Sequence, residues 1–81
     1  SPGPLFALET GGTAIGEFPF PESGTVIIGS EESGISPDAV KAVTGIVSIP
    51  LYGIKGSINV GVAFGILSYC WVNSIRERGK L

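Results

Sequence analysis

Residues 25–36 read TVIIGSEESGIS and predict a strand, a turn and the start of a helix in direct succession. The first four residues are uncharged and β-branched, and Gly29 ends this run. A short apolar run without polar alternation is typical of a parallel strand that is buried on both faces. Further along, Ser36 can cap a helix whose first residue is Pro37. This order favours an α/β unit.

The segments on either side continue the alternation of strands and helices, which predicts a parallel sheet. Three strands are few for a free-standing parallel sheet, so we expect a longer protein to supply more. We predict strands at residues 5–8, 25–29 and 46–50, helices at 36–43 and 57–78, and loops at 9–24 and 51–56.

The composition excludes several classes of function. The 81 residues include no His and one cysteine, Cys70. This excludes a His-based catalytic triad, a disulfide framework within the chain and Cys₄ or Cys₂His₂ zinc sites, so we expect no metal. The net charge of −2 gives no broad electrostatic footprint for nucleic acid. The lack of a recognisable targeting signal predicts a cytoplasmic location.

The last predicted helix has two interpretations. Residues 56–75 carry no charge and are followed by Arg76 and Arg78, which fits a small membrane-anchored protein. The continuous apolar part covers only residues 60–72, however, and this length favours a buried helix and no membrane contact. Its small residues also form a stripe at helical spacing that allows another backbone to approach closely: Gly61, Gly65, Ser68 and Val72.

Two local motifs resemble those of a known family. The first is GSEESGI at residues 29–35, directly after an apolar strand, and the second is IPLYGIKGSINVGVA at residues 49–63. Together they look like the second and third motifs of the SpoU (TrmH-type) RNA 2′-O-ribose methyltransferases of the SPOUT class. Leu51 stands where the family usually has Met, and Ile58 where it usually has Leu. The resemblance covers residues 5–78.

The resemblance implies a parallel-sheet trefoil-knot fold, S-adenosylmethionine as cofactor, a homodimer, and tRNA or rRNA as substrate. By the same resemblance, the backbone at five positions would hold the cofactor: Gly29, Ile49, Leu51, Gly53 and Ile58. Three polar residues would take catalytic roles at the substrate: Glu31, Ser57 and Asn59. A methyl group on a sulfonium is already activated, so the lack of His and of a metal site is no obstacle.

The family's first motif, whose Arg is assigned to catalysis, is not found in this chain. The chain also contains no Met. We therefore expect residues 1–81 to be the C-terminal, cofactor-binding part of the methyltransferase domain, without its N-terminal half and inactive alone. A non-catalytic cofactor-binding or dimerisation fragment, or a degenerate homologue, is the alternative.

Several side chains have structural interpretations beside the functional ones. Ser57 can serve as the helix N-cap, whereas Asn59 is expected to be a buried amide with a role in the site. Cys70 is expected to be a buried small apolar residue. Tyr69 and Trp71 are expected to pack in a core or a dimer face.

Overall fold

The computed structural model describes residues 3–29, 34–50 and 59–80, and within them the predicted α/β organisation is confirmed. The strands and helices follow one another as β1 (Leu5–Ala14), β2 (Thr25–Ile28), α1 (Pro37–Ala42), β3 (Gly45–Ser48) and α2 (Val60–Glu77). The sheet has the order β2-β1-β3, and both neighbours run parallel to β1. Parallel strands need connections over a face of the sheet, and α1 lies within the connection from β2 to β3.

The two short outer strands form where β-branched residues were recognised in the sequence. Leu5 pairs with Thr25 and Leu8 with Ile28, so β2 is in continuous register with the start of β1. On the other side, Phe6 pairs with Gly45 and Leu8 with Val47. Val47 is fully buried, as expected for a strand covered on both faces.

The prediction that residues 9–24 are a loop is wrong for residues 9–14, because β1 continues to Ala14. The register to β3 shifts within this strand, so that Thr13 pairs with Val47 as Leu8 does. The extension depends on a distant strand: the Ser48 hydroxyl, 36 residues away, accepts the N–H of Gly12 at 2.7 Å. A glycine-rich segment has no strand propensity of its own, so only the tertiary partner makes it a strand.

Helix α1 confirms the prediction made from its first residues. The Ser36 side chain accepts the N–H of Ala39 at 3.2 Å, and Pro37 opens the helix. The helix ends at Ala42, and Val43 is already extended.

Helix α2 begins three residues later than predicted. Its first residue is Val60 and its N-cap is Asn59, whereas Ser57 was expected to open it and lies outside the described residues. No helix in the described part of the chain combines the length and hydropathy needed to cross a membrane.

An aromatic cluster joins α2 to the sheet. The Phe6 ring lies 5.1 Å from that of Phe18, 5.9 Å from that of Phe20 and 5.0 Å from that of Trp71, measured between centroids. Leu67 of α2 completes the fully buried core with Val47 and two of these rings. Such ring pairs stabilise a core beyond their buried area.

The two aromatic residues of α2 that were expected to pack, Tyr69 and Trp71, differ in their burial. Trp71 and Cys70 pack against the core cluster while remaining half-buried. Tyr69 is 71% exposed, so it belongs to the surface rather than to the core of this chain.

Polar contacts hold the end of α2 against the segment that precedes β2. The Trp71 indole N–H donates to the carbonyl of Pro21 at 2.7 Å. The Arg78 guanidinium donates to the carbonyl of Phe20 at 2.5 Å. Because both acceptors are backbone carbonyls of a loop, these bonds fix where the helix sits on the sheet.

Candidate functional site

The strands of the sheet bring two of the five predicted cofactor residues, Gly29 and Ile49, to one edge of the sheet. Leu8 is the last β1 residue in the first register, and it pairs with Ile28 of β2 and Val47 of β3. Because the strands are parallel, the chain leaves all three at the same side, here called the carboxyl edge. Gly29 and Ile49 follow β2 and β3 there. Open α/β sheets bind ligands at this edge.

At Gly29, the backbone that follows β2 lies against the backbone of Gly34 and Ile35. A Cβ at this position would lie 2.3 Å from the carbonyl carbon of Gly34 and 2.6 Å from the nitrogen of Ile35. Gly34 itself has φ of +68°, a conformation that favours glycine. Only the lack of a side chain at Gly29 lets these two backbone segments meet, which adds a structural reason to its predicted cofactor role.

The described residues at this edge have a chemistry that fits a nucleoside cofactor. Leu8 and Ile49 are half-buried and apolar, as a planar base requires, while the backbone at Gly29 and Pro50 adds polar groups. One carboxylate, that of Glu9, lies among them. Within residues 3–29, 34–50 and 59–80, no group of three His, Cys, Asp or Glu side chains is arranged to hold a metal ion.

Asn59 caps α2 and is exposed, so the expectation of a buried amide at this position is wrong. Its side-chain oxygen accepts the N–H of Gly61 at 2.8 Å and that of Val62 at 3.3 Å. These backbone groups have no partner within the helix, and satisfying them is the usual task of an N-cap asparagine. The cap explains why Asn occurs here, and it leaves the amide nitrogen as the group for the predicted catalytic role.

The other predicted site residues lie outside the part of the chain that the structure describes, and their roles stay predictions. They are Glu31, Leu51, Gly53, Ser57 and Ile58.

The sequence patterns do not identify two residues at this edge, Glu9 and Ser48. The sequence pattern predicts Glu9 at the start of a loop, whereas the structure places it within β1. Its second carboxylate oxygen lies 3.3 Å from the position that a Cβ on Gly34 would take. The sequence predicts Ser48 only as part of a strand. In the structure, its hydroxyl donates a hydrogen bond to the backbone carbonyl of Glu9. No local pattern reveals that bond, because it joins residues 39 positions apart.

The described groups at this edge suit recognition. They are backbone amides and carbonyls, the Glu9 carboxylate and the Ser48 hydroxyl. This hydroxyl already accepts one hydrogen bond from the β1 backbone and donates another to it. A site of this kind can orient a ligand that brings its own reactive group.

Comparisons with known proteins point to one family. A curated tRNA (guanosine(18)-2′-O)-methyltransferase from Aquifex aeolicus is 37% identical over 54 residues, which is 67% of this chain and 26% of that protein. The chain therefore spans about a quarter of the length of that relative.

Solved structures of three related proteins share the fold. A TrmH-family RNA methyltransferase structure from Porphyromonas gingivalis has a TM-score of 0.78 and 33% identity, over 84% of this chain and 29% of that one. The TrmH/SpoU tRNA modifying enzyme of A. aeolicus has a TM-score of 0.79 and 28% identity, over 95% of this chain and 40% of that one. The SpoU methyltransferase AviRb of Streptomyces viridochromogenes, solved with AdoMet, has a TM-score of 0.77 and 26% identity, over 93% of this chain and 28% of that one.

The sequence model of the SpoU rRNA Methylase family matches residues 3–69, which include β1, β2, α1, β3 and the start of α2. Sequence motifs, parallel sheet and comparisons agree, and this chain belongs to the SpoU rRNA Methylase family.

Proposed function

We propose that this chain forms the cofactor-binding part of an S-adenosylmethionine-dependent RNA 2′-O-ribose methyltransferase that acts on tRNA or rRNA. The observation that carries the proposal is that Gly29 and Ile49 both lie at the carboxyl edge of one parallel sheet. These residues come from the two motifs that resemble the family, 20 positions apart in the chain. The AdoMet complex of AviRb, a relative of the same fold, supports the choice of cofactor.

The bound cofactor supplies a methyl group on a sulfonium, which needs no metal to activate it. The chain's task is to hold that group in line with a ribose hydroxyl, and orientation of this kind lowers the barrier strongly. We assign the cofactor to the backbone at Gly29 and Ile49, together with the positions outside the described residues: Leu51, Gly53 and Ile58.

We assign the substrate side of the site to Glu31, Ser57 and Asn59. Asn59 supports this assignment by its place at the N-terminus of α2, where the amide nitrogen can donate to an RNA oxygen while the amide oxygen keeps the cap. The name of the A. aeolicus relative, a tRNA 2′-O-methyltransferase, supports a ribose hydroxyl of RNA as the acceptor. The trefoil knot implied by the resemblance is part of the same proposal.

Calorimetric titration of the chain with S-adenosylmethionine and S-adenosylhomocysteine tests the cofactor assignment. We expect saturable binding of both ligands at one site per chain. Binding is the readout because the resemblance places the catalytic Arg in a motif that this chain does not contain. If neither ligand binds to folded protein, the proposed function is wrong.

We also propose that the chain pairs with a second copy through α2. Around the stripe of small residues, this helix exposes large apolar side chains: Val62 is 55% exposed, Phe64 53% and Tyr69 71%. Exposed apolar patches of this kind mark interaction surfaces. A groove adjoins the patch at Val72 and is lined by Glu22, Ser68, Trp71, Val72 and Ile75.

Sedimentation equilibrium tests the dimer. We expect twice the chain mass of 8.3 kDa for the wild type and a single chain mass for Gly65→Arg. A Cβ on Gly65 meets nothing within 4 Å, so the substitution leaves the single chain intact and acts on the pairing. Gly16→Arg is the matched control, since that position is equally open and lies before β2. A monomeric wild type, or a dimeric Gly65→Arg variant, contradicts this pairing.

A further inference from the structure

Glu9 lies in the middle of the carboxyl edge, between the two described positions assigned to the cofactor. It directly follows Leu8, where the register with both neighbouring strands is still regular. Because β1 is the central strand of the order β2-β1-β3, Glu9 has Gly29 on one side and Ser48, the residue before Ile49, on the other. A ligand that reaches from Gly29 to Ile49 must cross β1 near Glu9.

The Glu9 carboxylate is held at this edge by its local contacts. One oxygen, Oε1, accepts the N–H of Thr10 at 2.9 Å. The other, Oε2, lies 3.3 Å from the position of a Cβ on Gly34, so it rests beside the backbone that packs on Gly29. The residue is half-buried rather than extended into solvent.

The backbone that carries Glu9 is fixed from the side of β3. The Ser48 hydroxyl donates to the Glu9 carbonyl and accepts the N–H of Gly12 at 2.7 Å. A Cβ on Gly12 would lie 2.2 Å from the carbonyl oxygen of Ile46, so this part of β1 rests directly on β3. A carboxylate on a backbone held in this way is pre-organised for a ligand.

We propose that Glu9 is a specificity-determining residue of the cofactor site, whose carboxylate accepts hydrogen bonds from the vicinal hydroxyls of the cofactor ribose. An ionised carboxylate only accepts hydrogen bonds, and two neighbouring hydroxyls offer it two donors. An acid near the end of a strand serves the same purpose in dinucleotide-binding α/β sheets. The proposal rests on the proposed function, since it presumes that this edge binds S-adenosylmethionine.

The position of Glu9 favours the ribose over the other donors of the cofactor. In S-adenosylmethionine the ribose joins the adenine to the sulfonium arm, so it is the central part of the ligand. Glu9 likewise lies on the central strand, between the strands that Gly29 and Ile49 follow. The cofactor's ammonium and sulfonium groups also attract a carboxylate, and the ligands chosen for the test separate these possibilities.

The test compares wild type and Glu9→Ala by calorimetric titration with three ligands: S-adenosylhomocysteine, its 2′,3′-dideoxy analogue and 5′-methylthioadenosine. We expect Glu9→Ala to weaken S-adenosylhomocysteine about 10- to 100-fold, the range for hydrogen bonds to a charged group. Methylthioadenosine keeps the ribose and lacks the ammonium, so it should be weakened by a similar factor. The dideoxy analogue should bind wild type and variant equally.

Matched variants separate recognition from folding. Glu17→Ala removes a carboxylate from an exposed position and should leave all three affinities unchanged. Glu9→Gln keeps the size of the side chain and replaces the charge, and it should weaken the two ribose-containing ligands less than Glu9→Ala does. If Glu9→Ala is unfolded in thermal melting, the comparison with Glu9→Gln carries the test.

The outcomes distinguish this inference from the proposed function. If wild type fails to bind S-adenosylhomocysteine, both are wrong. If wild type binds and the Glu9 variants bind equally well, only the role of Glu9 is wrong. An effect that persists with the dideoxy analogue but disappears with methylthioadenosine assigns the carboxylate to the ammonium and overturns the ribose assignment. Since S-adenosylhomocysteine and methylthioadenosine carry no sulfonium, unchanged affinity of the Glu9 variants for both of them overturns the ribose assignment as well.

Discussion

Phe6→Ala is expected to lower the free energy of unfolding by about 3–5 kcal/mol, the usual cost of truncating a buried aromatic side chain to Ala. Phe6 is 1% exposed and contacts the rings of Phe18, Phe20 and Trp71. Its removal leaves a cavity in the contact between α2 and the sheet. Because small domains are stable by only about 5–15 kcal/mol, most of this chain's stability would be lost.

Urea unfolding followed by tryptophan fluorescence measures this effect, since Trp71 is part of the same cluster. Val40→Ala is the control: Val40 lies on α1 and is 37% exposed, so its truncation should change stability by no more than about 0.5 kcal/mol. A Phe6→Ala variant as stable as the control would show that the aromatic cluster does not hold α2 on the sheet.

Gly29→Ala is expected to weaken S-adenosylmethionine binding by about 10- to 100-fold, which matches the cost of about 1–3 kcal/mol that overpacking imposes. The added Cβ would lie 2.3 Å from the carbonyl carbon of Gly34, a distance that real Cβ atoms do not show. The Gly34 carbonyl carbon is a backbone atom, and the new Cβ is bonded directly to the backbone. A rotamer change therefore cannot relieve the overlap. The Gly34 backbone must move, and the carboxyl edge changes with it.

Titration of the variant, with its melting temperature recorded alongside, measures this loss. Overpacking of this kind also costs stability, on the order of 1–3 kcal/mol, so binding is compared at a temperature where the variant is folded. Gly16→Ala is the matched control, because a Cβ there meets nothing within 4 Å. Unchanged binding in a folded Gly29→Ala variant would remove Gly29 from the cofactor site.

Local causes account for the elements that the sequence predicts correctly, and non-local causes account for those that it does not. Strand β2 and helix α1 lie where they were predicted, because β-branched residues and a Ser-Pro start act within a few residues. The start of α2 was misplaced by three residues, since Ser57 and Asn59 are both good N-caps and local propensity does not choose between them. The extension of β1 to Ala14 was missed for the opposite reason, as its bonds go to a distant strand.

The family and the order of its elements follow from the sequence alone, because the motifs at residues 29–35 and 49–63 are contiguous patterns whose chemistry is local. The composition of the carboxyl edge was decided by the tertiary structure. Glu9, Gly29 and Ile49 come to the same edge of the sheet only when three parallel strands align. Such alignment is set by packing and by hydrogen bonds between residues that lie far apart in the chain, and no short stretch of sequence contains that information.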